Sequence, residues 1–344
     1  MKGRGERGKM ERMSGNLHMP ILLQPVYKEY IWGGRRLATD CGRSLLPGIY
    51  AESWEIADHP DGETLIVNGP AAGKTLSEAL RMFGEEISGS GGAGETRFPL
   101  MVKIIDAKET LSVQVHPDDE MAAAWGGEAK SEMWVVLEAT PDAHIYSGFL
   151  PGVTAADFEK ARAEGTIPNL LQRYPARPGM VFYTPGGRVH AIGAGCLLLE
   201  VQQNSNTTYR LWDWDRVGKD GKPRPLHVEK ALQVIRWGLT ESPVASIQPE
   251  RAAEGGQPAA VRDILDTPYF EVREWSLHGA CRVPADGKSF TILFPTDGDV
   301  RIRTPGQPAM ILTQRATCLM PAAIPEYTVQ PEGESVRVLA IRRA

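Results

Sequence analysis

Proline and glycine interrupt this chain so often, 26 and 36 times in 344 residues, that few apolar runs are long enough for a helix of several turns. Between the breaks lie short stretches rich in β-branched and aromatic residues. Among them are ESWEIADHP from Glu52, SEMWVVLEATPDAHIYSGF from Ser131, GMVFYTPGG from Gly179 and GCLLLEVQQNSNTTYRLWDWD from Gly195. Short strands at this spacing, bounded by turn residues, predict a mainly β protein built as a sandwich or barrel. Three segments have helical spacing instead. TLSEALRMFGEEI opens with a capping box of Thr75 and Glu78, TAADFEKARAEG has Thr154 as N-cap and Gly165 at its end, and HVEKALQVIRWG closes at Gly238.

The length, with 42% hydrophobic content, suits two domains rather than one. ESPVASIQPERAAEGGQPAA (241–260) has the composition of a linker, and the strand pattern resumes beyond it. The expected organisation is a disordered leader over 1–18, a larger domain over 19–240, the linker, and a smaller C-terminal β domain over 261–344. ISGSGGAGETR (87–97) reads as a mobile loop.

Acidic residues exceed basic ones by 43 to 38, and the excess is spread along the chain, so neither a nucleic-acid footprint nor a membrane-binding face is expected. No apolar run approaches the roughly 20 residues of a membrane helix, and the charged first 18 residues lack the apolar core of a signal peptide. Cys41, Cys196, Cys281 and Cys318 are far apart and form no CxxC pair, which fits free thiols in a reducing, cytoplasmic protein.

Polar residues inside apolar strands locate the chemistry. In SVQVHPDDE, Ser112, Gln114 and His116 share one strand face, and Pro117 ends the strand. Alone, this is a solvated face of an edge strand. Glu132 leads into the apolar MWVVL, and His190 sits in PGGRVHAIGAG among apolar neighbours. Each has an ordinary reading, as a strand end and as a hydrogen-bonded core histidine. Together they offer an amide, two imidazoles and a carboxylate from separate strands of one barrel, a donor set suited to a divalent cation such as zinc. Further on, Glu200, Gln202, Asn204 and Asn206 share parity, and Arg210 is placed to meet an anion, to form a surface salt bridge, or to stack among Tyr209, Trp212 and Trp214. Lys130, two residues before Glu132, either shares its face or is a solvated lysine.

Several stretches together resemble the class I mannose-6-phosphate isomerases in their shorter bacterial form: EYIWGG (29–34), ESWEIADHP (52–60), PLMVKIIDAKETLSVQVHPDD (99–119), AKSEMWVVL (129–137), PGGRVHAIGAG (185–195) and EVQQNSNTTYRLWDWDR (200–216). The similarity runs from about residue 20 to the C-terminus and is strongest over 25–240. The resemblance implies a cupin, or jelly-roll, barrel with a degenerate second barrel after it. It implies one zinc ion per chain, held by Gln114, His116, Glu132 and His190, with His116, Glu132 and His190 the firmer set. It places the family's active-site arginine on Arg210 and its lysine on Lys130. The expected catalytic residues are Arg210, Lys130 and Glu200, and the expected substrate-binding residues are Ser112, Lys130 and Arg210. The implied substrate is a small sugar phosphate: mannose 6-phosphate and fructose 6-phosphate interconvert through a cis-enediol. A monomer or homodimer is expected, without nucleic-acid or membrane partners. Two competing readings use the same ligand types: an iron-dependent cupin oxygenase and a non-catalytic sugar-binding cupin. The family's GK-x-E segment is here AKSE, and its PGD and PAG are PGM and PGG, which alters turns but removes no ligand.

Overall fold

The computed structural model describes residues 17–218, 221–239, 241–253, 257 and 259–344, and its main strands form two pairs of antiparallel sheets. In the first pair, a six-stranded sheet runs in the order Val181–Thr184, Glu132–Ala139, Cys196–Gln203, Leu100–Ala107, Glu52–Ile56, Val26–Lys28. The five-stranded sheet of this pair runs Leu171–Pro175, His144–Phe149, His190–Ile192, Val113–Val115, Tyr209–Trp212. Ile105, Trp134, Phe182 and Leu198 from the larger sheet pack with Ile145 and Ile192 from the smaller one, so the two close on a shared interior.

The second pair joins a six-stranded and a four-stranded sheet drawn from residues 251–343. Its interior is packed with Leu277, Leu293, Val300, Tyr327 and Val338. The two pairs also share a core. Leu100, Val102, Ile104, Val135, Leu199 and Val201 belong to the same apolar cluster as Phe270, Phe290, Ile292 and Ile341, and the rings of Phe98 and Phe290 lie 4.5 Å apart. This explains why LMVKIIDA shows no alternation in its sequence: all eight residues are buried, with Leu100, Val102 and Ile104 in the cluster shared with the second unit, Ile105 and Ala107 in the first barrel's interior, and Asp106 paired with Arg36. Lys103 shares the inward parity, as do Glu132 and Glu200 on their own strands. The pattern therefore sets three charged side chains inside the barrel.

Local signals placed the helices well. The Thr75–Glu78 box caps Leu76–Phe83, and Thr154 caps Ala155–Glu164, which ends on left-handed Gly165. The third helix, Val228–Val234, stops short of Gly238 because Ile235 is extended and the Arg236 N–H donates to the Gly187 carbonyl instead of continuing the helix. Residues 1–16 of the expected leader lie outside the described residues, whereas Leu17 is buried and Ile21 bridges to Leu319 of the second unit. Only the first part of the expected 241–260 linker lies along the first barrel, where the N–H of Tyr183 donates to the Pro243 carbonyl and that of Ala245 to the Val181 carbonyl; Arg251–Ala252 and the strand from Ala259 already pair within the second unit's sheet.

The glycine-rich stretch 87–97 differs from the mobile loop expected. It forms a 3₁₀ turn at Ser90–Gly92, and the N–H groups of Ser90 and Gly91 donate to the carbonyls of Gly287 and Lys288. Gly89 has φ +75°, and a Cβ there would lie 2.3 Å from the Lys288 carbonyl carbon. Glycine permits the close approach of two backbones here rather than slack. Gly89→Ala is expected to lower stability by about 1–3 kcal/mol through strain and overpacking. Denaturant unfolding checks this, and an unchanged midpoint would refute the tight contact.

Candidate metal centre and substrate cavity

The five-stranded sheet sets His190 opposite Gln114 and Gln114 opposite Arg210, while the six-stranded sheet sets Glu132 opposite Gln202 and Trp134 opposite Glu200. His116 follows immediately after the Val113–Val115 strand. Where the interiors of the two sheets meet, ligand atoms of His116, Glu132 and His190 come within 4.8 Å of one another. All three side chains are buried.

The imidazoles are fixed from behind. Nδ1 of His116 lies 2.8 Å from the Thr207 carbonyl, and Nδ1 of His190 lies 2.9 Å from the Arg188 carbonyl. A carbonyl only accepts, so each Nδ1 carries the proton and each Nε2 presents its lone pair to the site. Both lone pairs then face the same carboxylate oxygen: Nε2 of His190 is 3.1 Å, and that of His116 3.5 Å, from Oε1 of Glu132. Among the described residues, neither buried oxygen of Glu132 has a hydrogen-bond donor in good geometry, although Nζ of Lys130 stands 2.6 Å from Oε2. The Lys130 ammonium and the Gln114 amide approach the two Nε2 atoms from the flanks, at 3.4 and 3.3 Å, but three acceptors that converge on one point repel one another unless a cation lies between them. These residues therefore fit a divalent metal ion, and the oriented backs of the histidines are what such ligands need.

Electrostatics agree. Burial, Lys130 and His190 push His116 down to about 3 against the pull of Glu132, so its imidazole is neutral. Burial alone would raise the Glu132 carboxyl, but the Lys130 ammonium beside it outweighs burial and holds the group well below its usual value, ionised. Gln114 directs Nε2 at Nε2 of His190, 3.3 Å away, and a half-turn of the amide would present its oxygen instead.

A cavity of about 250 Å³ opens above this cluster. Gln114, Lys130, Glu200, Ser112 and Arg210 all line it, so the structure gathers every site residue expected from the sequence at the cavity or at the cluster beneath it. Arg210 donates from Nε to Ser112 Oγ and from Nη1 to the Pro225 carbonyl. It reaches into the cavity rather than stacking on Trp212 and Trp214, which pack on each other at 4.5 Å. Of the residues sharing parity after Glu200, Gln202 is buried and donates to the carbonyls of Gln203 and Ser205, while Asn206 lines the cavity.

Sequence reasoning missed a second charged group in the wall. Lys103 lies between Glu52 at 3.6 Å and Glu200 at 3.4 Å, beside the Trp54 ring. Trp54 and Trp134 donate their indole N–H groups to Glu52 and Glu200. The signal was present: a single lysine inside LMVKIIDA has no solvated face to occupy. Burial pushes the Glu200 carboxyl up, with Glu132 adding to it and Lys130 and Lys103 opposing. Burial would lower Lys103, yet Glu52 and Glu200 raise it and keep it a cation.

Residues 21–160 match the model of the catalytic domain of type I phosphomannose isomerase. Over 326 residues the chain is 36% identical to the mannose-6-phosphate isomerase ManA of Bacillus subtilis, covering 92% of this chain and 98% of that one. The chain belongs to the type I mannose-6-phosphate isomerases. A mannose-6-phosphate isomerase of Streptococcus mutans is 35% identical over 77% of this chain and 81% of its own length. The crystal structure of the Bacillus subtilis mannose 6-phosphate isomerase superposes with a TM-score of 0.84 at 31% identity, covering 94% of this chain and 99% of that one. That match gives the paired sheets the cupin architecture of the family. As a mannose-6-phosphate isomerase, the protein is an aldose–ketose isomerase that acts on a sugar phosphate. Among the described residues no helix is long and apolar enough to cross a membrane.

Removing Lys103 should expose its role. In Lys103→Met the buried Glu200 and the partly buried Glu52 lose their shared cation, with an expected destabilisation of about 3–5 kcal/mol near neutral pH. The deficit should shrink as pH falls, because protonated carboxyls need no counter-charge. Unfolding curves at neutral and acid pH measure it, and a pH-independent deficit would argue for packing alone.

Proposed function

We propose that this cavity interconverts mannose 6-phosphate and fructose 6-phosphate through a cis-enediol, with zinc held by His116, Glu132 and His190 and with Gln114 as a fourth, weaker ligand. The observation that carries this is the meeting of two imidazole lone pairs and a donor-starved carboxylate at the base of a cavity lined by Lys130, Glu200 and Arg210. A divalent ion held by these residues would supply Lewis-acid polarisation of the substrate.

The chain's own groups do the rest. Isomerisation removes the proton from C2 of the aldose and delivers one to C1, while O1 gains a proton and O2 loses one. Glu200 is the group for the carbon-bound proton: it lines the cavity, is buried, and its raised carboxyl is a stronger base than an ordinary one. Trp134 and Lys103 hold it in position from the wall. Lys130 stands beside Glu132 and His116 and donates to the substrate's oxygens. Arg210, braced by Ser112 and Pro225, neutralises charge developing on the enediolate. Trp32, Leu111, Ile105 and Ile192 form the apolar part of the wall and limit water around the intermediate.

Turnover of mannose 6-phosphate in heavy water tests the route. Proton transfer through an enediol should leave solvent deuterium at C1 of the fructose 6-phosphate formed, whereas a hydride shift would leave none. Arg210→Ala should keep its metal and lose turnover by about 100- to 1,000-fold, the loss typical of one preorganised charge-stabilising donor. Metal analysis beside the rate assay decides, since loss of metal as well would make Arg210 structural.

A further inference from the structure

The cavity has a second cation that the proton-transfer chemistry leaves unused. Arg224 lines the same wall as Arg210 and is gripped by Asp213: Nε donates to Oδ2 at 2.7 Å and Nη2 to Oδ1 at 2.5 Å. Asp213 is buried and also accepts from Nη2 of Arg216 at 2.6 Å. This fork-to-fork pairing fixes the guanidinium plane and leaves Nη1 of Arg224 with no hydrogen bond among the described residues. Nη2 of Arg210 is likewise without one. Tyr30 lines the same part of the cavity and lies within the electrostatic range of both arginines. Two guanidiniums facing one cavity repel: after burial, Arg224 is the largest influence lowering the Arg210 pKa. Arg224 and Arg216 share Asp213, and Arg216 also faces Glu109 at 3.8 Å, but Arg210 has no carboxylate partner among the described residues, so this end of the wall keeps positive charge that a dianion would balance.

We propose that Arg224, fixed by Asp213 and flanked by Arg210 and Tyr30, anchors the phosphate group of the substrate. This rests on the reading that the cavity takes a sugar phosphate and deepens it. The ordering along the wall supports the assignment. Arg210 connects through Ser112 to Gln114 and so to His190, at the metal end, whereas Arg224 is hydrogen-bonded to Asp213 and has no such link to that cluster among the described residues. A substrate with its carbonyl at the cluster and its phosphate at Arg224 passes beneath Arg210, which then serves the enediolate.

The test compares wild type, Arg224→Gln and Arg224→Lys in two assays. In kinetics, Arg224→Gln should raise KM for mannose 6-phosphate roughly 10- to 100-fold, the loss of a charge-assisted bond to phosphate. It should change kcat far less, and Arg224→Lys should recover part of the affinity. In calorimetry with inorganic phosphate as the probe, wild type should bind at the cavity and Arg224→Gln should bind correspondingly more weakly. A lowered kcat with KM and phosphate affinity unchanged would overturn the proposal and make Arg224 a structural partner of Asp213. Should wild type fail to isomerise mannose 6-phosphate at all, the reading of the reaction falls, and the phosphate titration still decides whether Arg224 binds the anion.

Discussion

Everything at this site depends on two backbone carbonyls. The oxygens of Thr207 and Arg188 hold the Nδ1 protons of His116 and His190, and so aim two lone pairs at one carboxylate that has no donor to receive. Without those carbonyls each imidazole could turn over and donate to Glu132, and the cluster would become an ordinary buried hydrogen-bond network. With them, the arrangement is electrostatically incomplete until a cation enters. Lys130, 2.6 Å from Oε2 of Glu132, keeps the carboxylate charged but cannot fill the space between the three ligands.

Such a centre can be kept dry only because the strands that carry it are covered twice. The six-stranded sheet faces the cavity with one set of side chains and the second β unit with the other, so Lys103, Glu132 and Glu200 lie in a wall closed from behind by Phe270, Phe290 and Ile341. Among the described residues, the C-terminal unit contributes none to the cavity wall. Its part is burial, and the backbone contact at Gly89 together with the bridge from Ile21 to Leu319 fastens it in place. Deep burial in turn raises the basicity of Glu200 and makes the pairing of Lys103 necessary.

Much of this was legible in the sequence, for identifiable reasons. Gln114 and His116 are polar residues in an apolar run, and the period of two put them on one face. The helix caps at Thr75 and Thr154 are local signals with local causes, and both formed as expected. What escaped was set by tertiary contact. The glycines of 87–97 suggested slack, but their meaning depended on a partner backbone some 200 residues later in the chain. Glu52 and Arg224 became site residues only through strand pairing and through Asp213, neither of which the local pattern reveals, whereas Lys103 carried a local signal as the lone lysine of an apolar strand. Arg210 among tryptophans allowed a stacked arginine, and only the pairing of its strand with Val113–Val115 turned it toward the cavity.

Zinc titration of chelator-stripped protein decides whether the buried lone-pair cluster is a metal site on which isomerisation depends. With the fold intact by circular dichroism, the account predicts negligible conversion of mannose 6-phosphate in the stripped protein. Activity should then return in proportion to added zinc and level off at one ion per chain. Full turnover by a folded, metal-free protein would contradict it.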